Sequence, residues 1–277
     1  MRRYVSPHFF SADAYAEADF TTTNLVKPFR QRDDSFLRAL DAVRDGSAGP
    51  ADLELFSRRV DPAVSPAYVR ESDATLLTTH NQQADRMNRI ILDSLPGQDQ
   101  VFHATMDGDF PPSRYPTAAS LPLKPGAKVM LLTNNMPQWV NGTVATVREI
   151  DGQRGVSVVL PSGGEAFVDE HTWDQVRYDT AQGQIVRVPV GTFRQLPLRL
   201  AWAVTIHKAQ GLTLDRGIVD LGRGIFAPGQ LYVGLSRIRE LEGLTLTPRP
   251  IQAADMRVDG AVREFMRTSP QMAGAPA

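Results

Sequence analysis

The 277 residues, 42% hydrophobic and 22% charged, suffice for one large or two ordinary domains with a sizeable core. Without any cysteine, disulfides, thiolate nucleophiles and cysteine zinc sites are excluded, and the five scattered histidines lack metal-ligand spacing such as H-E-x-x-H. The formal net charge of −1 conceals an asymmetry: residues 1–186 carry 18 Lys and Arg against 24 Asp and Glu (−6), whereas residues 187–277 carry 12 against 7 (+5), which permits a basic surface on one part of the molecule.

The opening MRRYVSPHFF has no apolar signal core, and no run approaches the roughly 18–20 apolar residues of a membrane helix, so a cytoplasmic, membrane-free protein is expected. After a short connection, Asp33 or Asp34 can cap a helix whose Phe36, Leu37, Leu40 and Val43 recur at helical spacing, with Gly46 as its stop. Pro50 opens a second helix, ADLELFSRR. Residues 74–79 (ATLLTT) have a buried-strand pattern, and Asn81 is the expected cap of QQADRMNRIILDSL, in which Ala84, Met87 and Ile91 share a face. Residues 96–123, rich in Pro, Asp and Gly, read as an irregular excursion. From Lys128 onward KVMLLTN, GTVATVREI, GVSVVLP and EAFVDEH alternate with turn signals, which suggests a small antiparallel barrel or sheet. Near Arg187 the α/β pattern returns: RQLPLRLAWAV as strand, TIHKAQG as a strand-to-helix junction, RGIVDLG as strand, GQLYVGLSR as helix and LTLT as strand. A single amphipathic helix, AADMRVDGAVREFMR, and a disordered-looking SPQMAGAPA close the chain.

Three strings carry chemistry. Thr205, His207, Lys208 and Gln210 crowd polar groups at a junction ending at Gly211, where donors suit phosphate oxygens, although a capped surface turn has the same composition. Arg237 and Arg239 follow the apolar face of Leu231, Val233 and Leu235; a rigidly held guanidinium suits a transferring phosphoryl group, and a dipole partner at a helix end looks the same. Arg30 lies beside Gln31 just before the first strong helix. The four lysines, Lys27, Lys124, Lys128 and Lys208, are followed by Pro, Pro, Val and Ala, so none belongs to a G-K-Ser/Thr phosphate loop.

In order, F-R-Q-R-D-x-x-F, L-L-T-T-H-N-x-x-A-D-x-x-N, P-G-A-K-V-M-L-L-x-N with V-N-G-T, Q-L-P-L-R-L-A-W-A-V-T-I-H-K-A-Q-G-L-T-L-D and G-Q-L-Y-V-G-L-S-R-I-R resemble the C-terminal half of the petite-integration-frequency DNA helicases, of the RecD-like branch of superfamily one, over roughly residues 26–246. The resemblance implies an α/β fold, namely a RecA-like P-loop-NTPase-type second motor domain with a small β-barrel insertion. It implies residues 1–139 as the first part of that domain, 140–186 as the barrel, 187–250 as the remainder and 251–277 as a helix and tail. It further implies arginines reaching the γ-phosphate at Arg30 (motif IV) and Arg237 (motif VI), and residues near the nucleotide and the inter-domain cleft at Gln210 and Gly211 (motif V). Single-stranded DNA contacts are implied at Thr79, Asn81, Thr205, His207 and Lys208. Where relatives carry a second glycine after V-N-G, this chain has Thr143-Val144-Ala145.

The function so implied is the motor half of an ATP-dependent 5′-to-3′ helicase of the kind used in DNA repair and recombination. ATP and magnesium would be held mainly by an N-terminal half from a longer chain or a neighbouring reading frame. A non-enzymatic single-strand-binding remnant is the alternative, and a protein-interaction role for the β-rich insertion is a third. AFVDEH, with Asp169 and Glu170, imitates an acidic Walker B strand, but it follows no P-loop and is read as a charged turn at a strand end.

Overall fold

Asp33 supplies the first cap: its carboxylate accepts from the backbone N–H groups of Ser35 and Phe36, and α2 (Asp34–Asp45), after a short α1 (Asp13–Glu17), runs until Gly46 adopts φ +70°. The computed structural model describes residues 4–18, 20, 30–31, 33–152, 154–181, 183–222 and 224–268; the expected tail at 269–277 lies outside them, as does Lys27. Two helices opened by proline follow, α3 (Pro50–Ser57) and α4 (Pro66–Glu71). Next come a fully buried strand β1 (Thr75–Thr78) and α5 (Asn81–Ser94). The residue outside the first turn of α5 is His80, not Asn81; Asn81 is the first helical residue, because the extended backbone of the strand continues to position 80.

Residues 96–123 are more regular than their composition suggests. They hold β2 (Gln100–His103), β3 (Thr105–Gly108) and β4 (Ser120–Leu123). β2 pairs with β4, and β3 pairs with a strand far along the chain, so non-local ladders fix what local periodicity does not show. The β-rich region continues with β5 (Lys128–Leu131), β6 (Val144–Asp151), β7 (Gly155–Val159), β8 (Glu165–Asp169), β9 (His171–Ala181), β10 (Gln184–Gln195) and β11 (Leu198–Leu200). Five of these form an antiparallel sheet in the order β11-β5-β6-β7-β8, and β3-β10-β9 form another. The first sheet therefore draws strands from both sides of residues 140–186.

The chain then passes into the second sheet system. RQLPLRLAWAV is divided: β11 pairs antiparallel with β5, and after Ala201 and Trp202 β12 (Ala203–Thr205) pairs parallel with β1. With β13 (Gly217–Asp220) and β14 (Leu244–Leu246) they form an all-parallel sheet in the order β12-β1-β13-β14, and α6 (Gln230–Leu235) connects β13 to β14. Alternate residues of each strand enter opposite cores. Leu76, Ala203 and Ile218 pack with α5 and the antiparallel sheet, whereas Leu77, Val204 and Val219 pack with α2 and α6.

Two further differences are local. TIHKAQG forms consecutive tight turns rather than opening a helix, with Ala209 N–H bonded to Thr205 O, Gln210 N–H to His207 O and Leu212 N–H to Ala209 O. The predicted single C-terminal helix is split into a short turn at Ala253–Asp255 and α7 (Gly260–Thr268). Asp255 is buried in a double hydrogen bond to Arg249 (2.9 and 2.8 Å), and Asp259 caps α7 through the N–H groups of Ala261 and Val262.

Candidate functional site

A parallel sheet presents its functional edge at the carboxyl ends of its strands. Here Thr78 of β1 stands level with Thr205 of β12 and Asp220 of β13, so the residues just beyond them share one rim. Thr79 and Thr205 are buried and the Thr79 hydroxyl shares a 2.8 Å hydrogen bond with His80 Nδ1, whereas Asn81, His207 and Lys208 are exposed. The structure thus brings all five expected strand contacts to one edge, with three side chains open to solvent and two held in the sheet.

Two residues join this edge without having been singled out in the sequence. The rings of His80 and His207 lie 5.0 and 5.9 Å from that of Phe226, which is 49% exposed despite its size. A phenylalanine in a Pro- and Gly-containing connection carries no local signal of such a neighbourhood.

The second cluster is built from opposite ends of the chain. Arg30 donates from Nε to Thr213 Oγ1 (2.9 Å) and from Nη1 to the Ser236 carbonyl (2.8 Å). Gln31, itself buried, donates to the carbonyls of Ser236 (2.9 Å) and Ile238 (3.0 Å), which pins the Arg30 backbone. Arg237 is 8% exposed and is held from three directions: Nε to Val233 O (2.9 Å), Nη1 to Leu212 O (3.4 Å) and Nη2 to Ser236 Oγ (2.8 Å). Burial, and then the neighbouring charge of Arg30, lower the proton affinity of Arg237; Tyr232 opposes them, and no carboxylate acts on it among the described residues. Arg239, by contrast, is neutralised by Asp215 at 2.8 Å. Thr213 and Ser236 are the anchors that sequence reasoning missed, since a hydroxyl bonding across the fold leaves no pattern in the chain.

Gln210 and Gly211 lie between the two clusters. They line a cavity of about 420 Å³ with Lys208, Leu212 and Asn141, and Gly211 takes φ +92°. The direct links to the arginines run through the next two residues, Leu212 and Thr213. Gly142, at the entrance to the β-rich region, has φ +93°, and a β-carbon there would collide with the side chain of Leu212. Asp169 and Glu170 are elsewhere, at the end of β8, where Glu170 pairs with Arg194 at 3.0 Å, so the charged-turn reading describes them. No group of three or more His, Asp or Glu among the described residues could hold a metal, and no helix among them is long and apolar enough to cross a membrane.

No family model matches the chain. The ATP-dependent DNA helicase PIF1 of Rattus norvegicus is 33% identical over 286 residues, which cover 97% of this chain and 41% of that protein. The Pif1 helicase of Bdellovibrio bacteriovorus is 33% identical over 242 residues, covering 84% and 52%. Among solved structures, Bacteroides Pif1 in complex with ADP-AlF4 matches with a TM-score of 0.78 at 29% identity over 96% of this chain and 60% of that one. Bacteroides Pif1 bound to single-stranded DNA matches with a TM-score of 0.71 at 30% identity, over 96% and 60%. Nearly the whole chain is therefore homologous to the Pif1 ATP-dependent DNA helicases, and it spans about two-fifths of the length of curated relatives such as the rat protein.

Proposed function

We propose that the chain is the motor half of an ATP-driven 5′-to-3′ DNA helicase, giving two arginines to the γ-phosphate and holding single-stranded DNA along the rim of β1 and β12. The convergence of Arg30 and Arg237 on Ser236 carries the reading. Two guanidinium groups side by side, one of them buried with no acid acting on it among the described residues, are unfavourable until an anion lies against them. A transferring phosphoryl group is such an anion, and the planar, firmly anchored fork suits charge spread over its oxygens. None of the four lysines sits in a P-loop, so the other phosphates and the magnesium ion fall to an ATP-binding domain from a longer chain or a neighbouring reading frame. When bound, ATP would supply free energy through its hydrolysis and magnesium would neutralise charge on the phosphate oxygens; Gln210 and Gly211 border the cleft in this reading.

On the strand side, Lys208 and Asn81 offer donors to backbone phosphates, and the rings of His80, Phe226 and His207 offer faces on which bases stack. Thr79 orients His80, and Thr205 fixes the start of the turn that carries His207 and Lys208. The inserted β-rich module belongs to the same reading, its five-stranded sheet joining β5 to β8 with β11.

The test is a DNA-stimulated ATPase assay with and without a P-loop domain of a Pif1 helicase supplied in trans. The chain alone should bind oligothymidylate and hydrolyse almost no ATP. Addition of the P-loop domain should restore hydrolysis, and Arg237→Ala should remove about 10³-fold or more of it while leaving DNA affinity within about twofold. Brisk hydrolysis by the isolated chain would overturn the proposal. The remnant alternative predicts that no P-loop domain restores activity.

A further inference from the structure

Two cavities share Arg199, Lys208 and Pro116. The larger, about 460 Å³, is also lined by Thr205 and Tyr115, and the smaller, about 420 Å³, by Gln210. Arg199 lies in β11, in the part of the Q-L-P-L-R-L-A-W-A-V string to which no role was attached, and its backbone is fixed opposite Met130 of β5. Its Nη2 donates to the Pro116 carbonyl at 2.7 Å, but its Nε is buried without a hydrogen-bond partner among the described residues. A buried, unmatched guanidinium N–H is costly, so the fold leaves the charge of this head under-compensated, and an anion would meet the head from the cavities that Arg199 lines.

The electrostatics ask for the same thing. Burial pushes down the proton affinity of Arg199. Lys208 is open to solvent on one side, yet partial desolvation where it lines the two cavities, and then the charge of Arg199, push its proton affinity down, with only Asp85 acting in the opposite sense. The other cation lining the larger cavity, Arg89, is already paired with Asp93 (2.8 Å) and Asp99 (2.9 Å). What remains is a surplus of positive charge at a site whose larger cavity lies within the roughly 300–1,000 Å³ of small-ligand pockets. Tyr115, Pro116, Leu121 and Leu200 give that cavity an apolar wall.

We propose that Arg199 and Lys208 form a seat for one phosphate of single-stranded DNA, with the adjoining nucleotide in the larger cavity, so that the β-rich module grips the strand together with the motor sheet. This rests on the assignment of the β1–β12 rim to single-stranded DNA, because Lys208 and Thr205 belong to both. A strand phosphate, rather than a free mononucleotide, is favoured by that continuity.

Fluorescence anisotropy with labelled oligothymidylate, titrated over a range of salt concentrations against the full 277-residue chain, tests it. Loss of one phosphate contact lowers the slope of log K against log salt by about 0.7 for a single strand. Arg199→Met should show that fall with affinity about tenfold weaker, and Arg199→Lys should restore most of the slope. Thermal unfolding is measured in parallel, and Arg199→Gln, which keeps a donor for the Pro116 carbonyl, replaces Arg199→Met if the latter lowers the midpoint. An unchanged slope in a folded variant overturns the seat while leaving the rim assignment intact. If thymidine monophosphate competes in the wild type and not in the variant, with the slope unchanged, the cavity takes free nucleotide and the strand assignment is overturned. Failure of the wild type to bind oligothymidylate overturns the rim assignment and the seat together.

Discussion

Lys208 experiences opposing demands. Partial desolvation and Arg199 disfavour its ammonium form, so the folded chain holds this proton less tightly than the unfolded chain does. Between its depressed value and the ordinary 10.5 the unfolded state binds more protons, and the contribution of Lys208 to stability therefore rises with pH in that window. A bound phosphate acts in the reverse direction: it favours the ammonium, so binding takes up a proton and weakens as pH climbs. At constant ionic strength, the affinity of the wild type for oligothymidylate should fall between about pH 7 and about pH 10 more steeply than that of Lys208→Arg, whose charge persists. Superimposable pH profiles would remove Lys208 from the interface. Arg237 raises a question of geometry instead of charge. Its guanidinium is fixed by three acceptors in three directions, and a lysine ammonium on its flexible stem cannot reproduce that fork. Arg237→Lys should therefore lose nearly as much reconstituted ATPase as Arg237→Ala, about 10³-fold, in a steady-state assay; retention of more than about a tenth would reduce its role to charge alone. The strings around Arg30 and Arg237 were legible because residue identity carries them. Their anchors, Thr213 and Ser236, were not, because the bonds join distant segments through a hydroxyl and a main-chain carbonyl.

At the level of elements, β12 has an open edge that must be satisfied. It is the outermost strand of the parallel sheet, and α5 closes it with one side chain: Asn88 Nδ2 donates to the Ala203 carbonyl (2.7 Å) and Asn88 Oδ1 accepts from the Ala203 N–H (2.8 Å). The amide imitates a neighbouring strand at the element that delivers Thr205 to the rim. Asn88→Ala leaves a buried N–H and a buried C=O unmatched, about 1–3 kcal/mol each, so urea unfolding should show a loss of about 2–5 kcal/mol. A loss below about 1 kcal/mol would mean that water replaces the amide. Helices such as α2 and α5 were readable from their apolar spacing because their packing repeats locally. β2, β3 and β4 were not, since each takes its conformation from a partner outside its own segment, and neither was the turn at 206–211, where one bond reaching back four residues is followed by bonds reaching back three and no helical ladder propagates. The split of RQLPLRLAWAV was hidden for a related reason: a continuous apolar run does not show at which residue a chain changes sheets.

Across the whole molecule, residues 205–213 touch every part of the proposed machine. Thr205 pairs with the sheet, His207 meets Phe226, Lys208 shares its cavities with Arg199 of the β-rich module, Leu212 packs against Gly142, and Thr213 holds Arg30. Immediately beyond, Leu214 exchanges backbone hydrogen bonds with the carbonyl of Arg237 (2.8 Å) and the N–H of Arg239 (3.0 Å). A displacement at the DNA end of this segment therefore reaches both arginines through a few bonds, which makes it the physical candidate for coupling strand occupancy to hydrolysis. Gly211 is the point at which that coupling can be broken with least collateral damage. Nothing lies within 4 Å of where its β-carbon would be, so substitution creates no clash, but φ +92° strains any L-residue. Gly211→Ala should cost about 1–2 kcal/mol of stability if the turn is kept, or shift the turn to relieve the strain. Either way, Lys208 stays on one side and Thr213 on the other with their relative placement altered. The expected outcome in the reconstituted system is near-normal oligothymidylate affinity and near-normal hydrolysis without DNA, with stimulation by DNA reduced about tenfold. Parallel loss of all three would show that Gly211 serves folding alone, and full stimulation would place the coupling path outside residues 205–213.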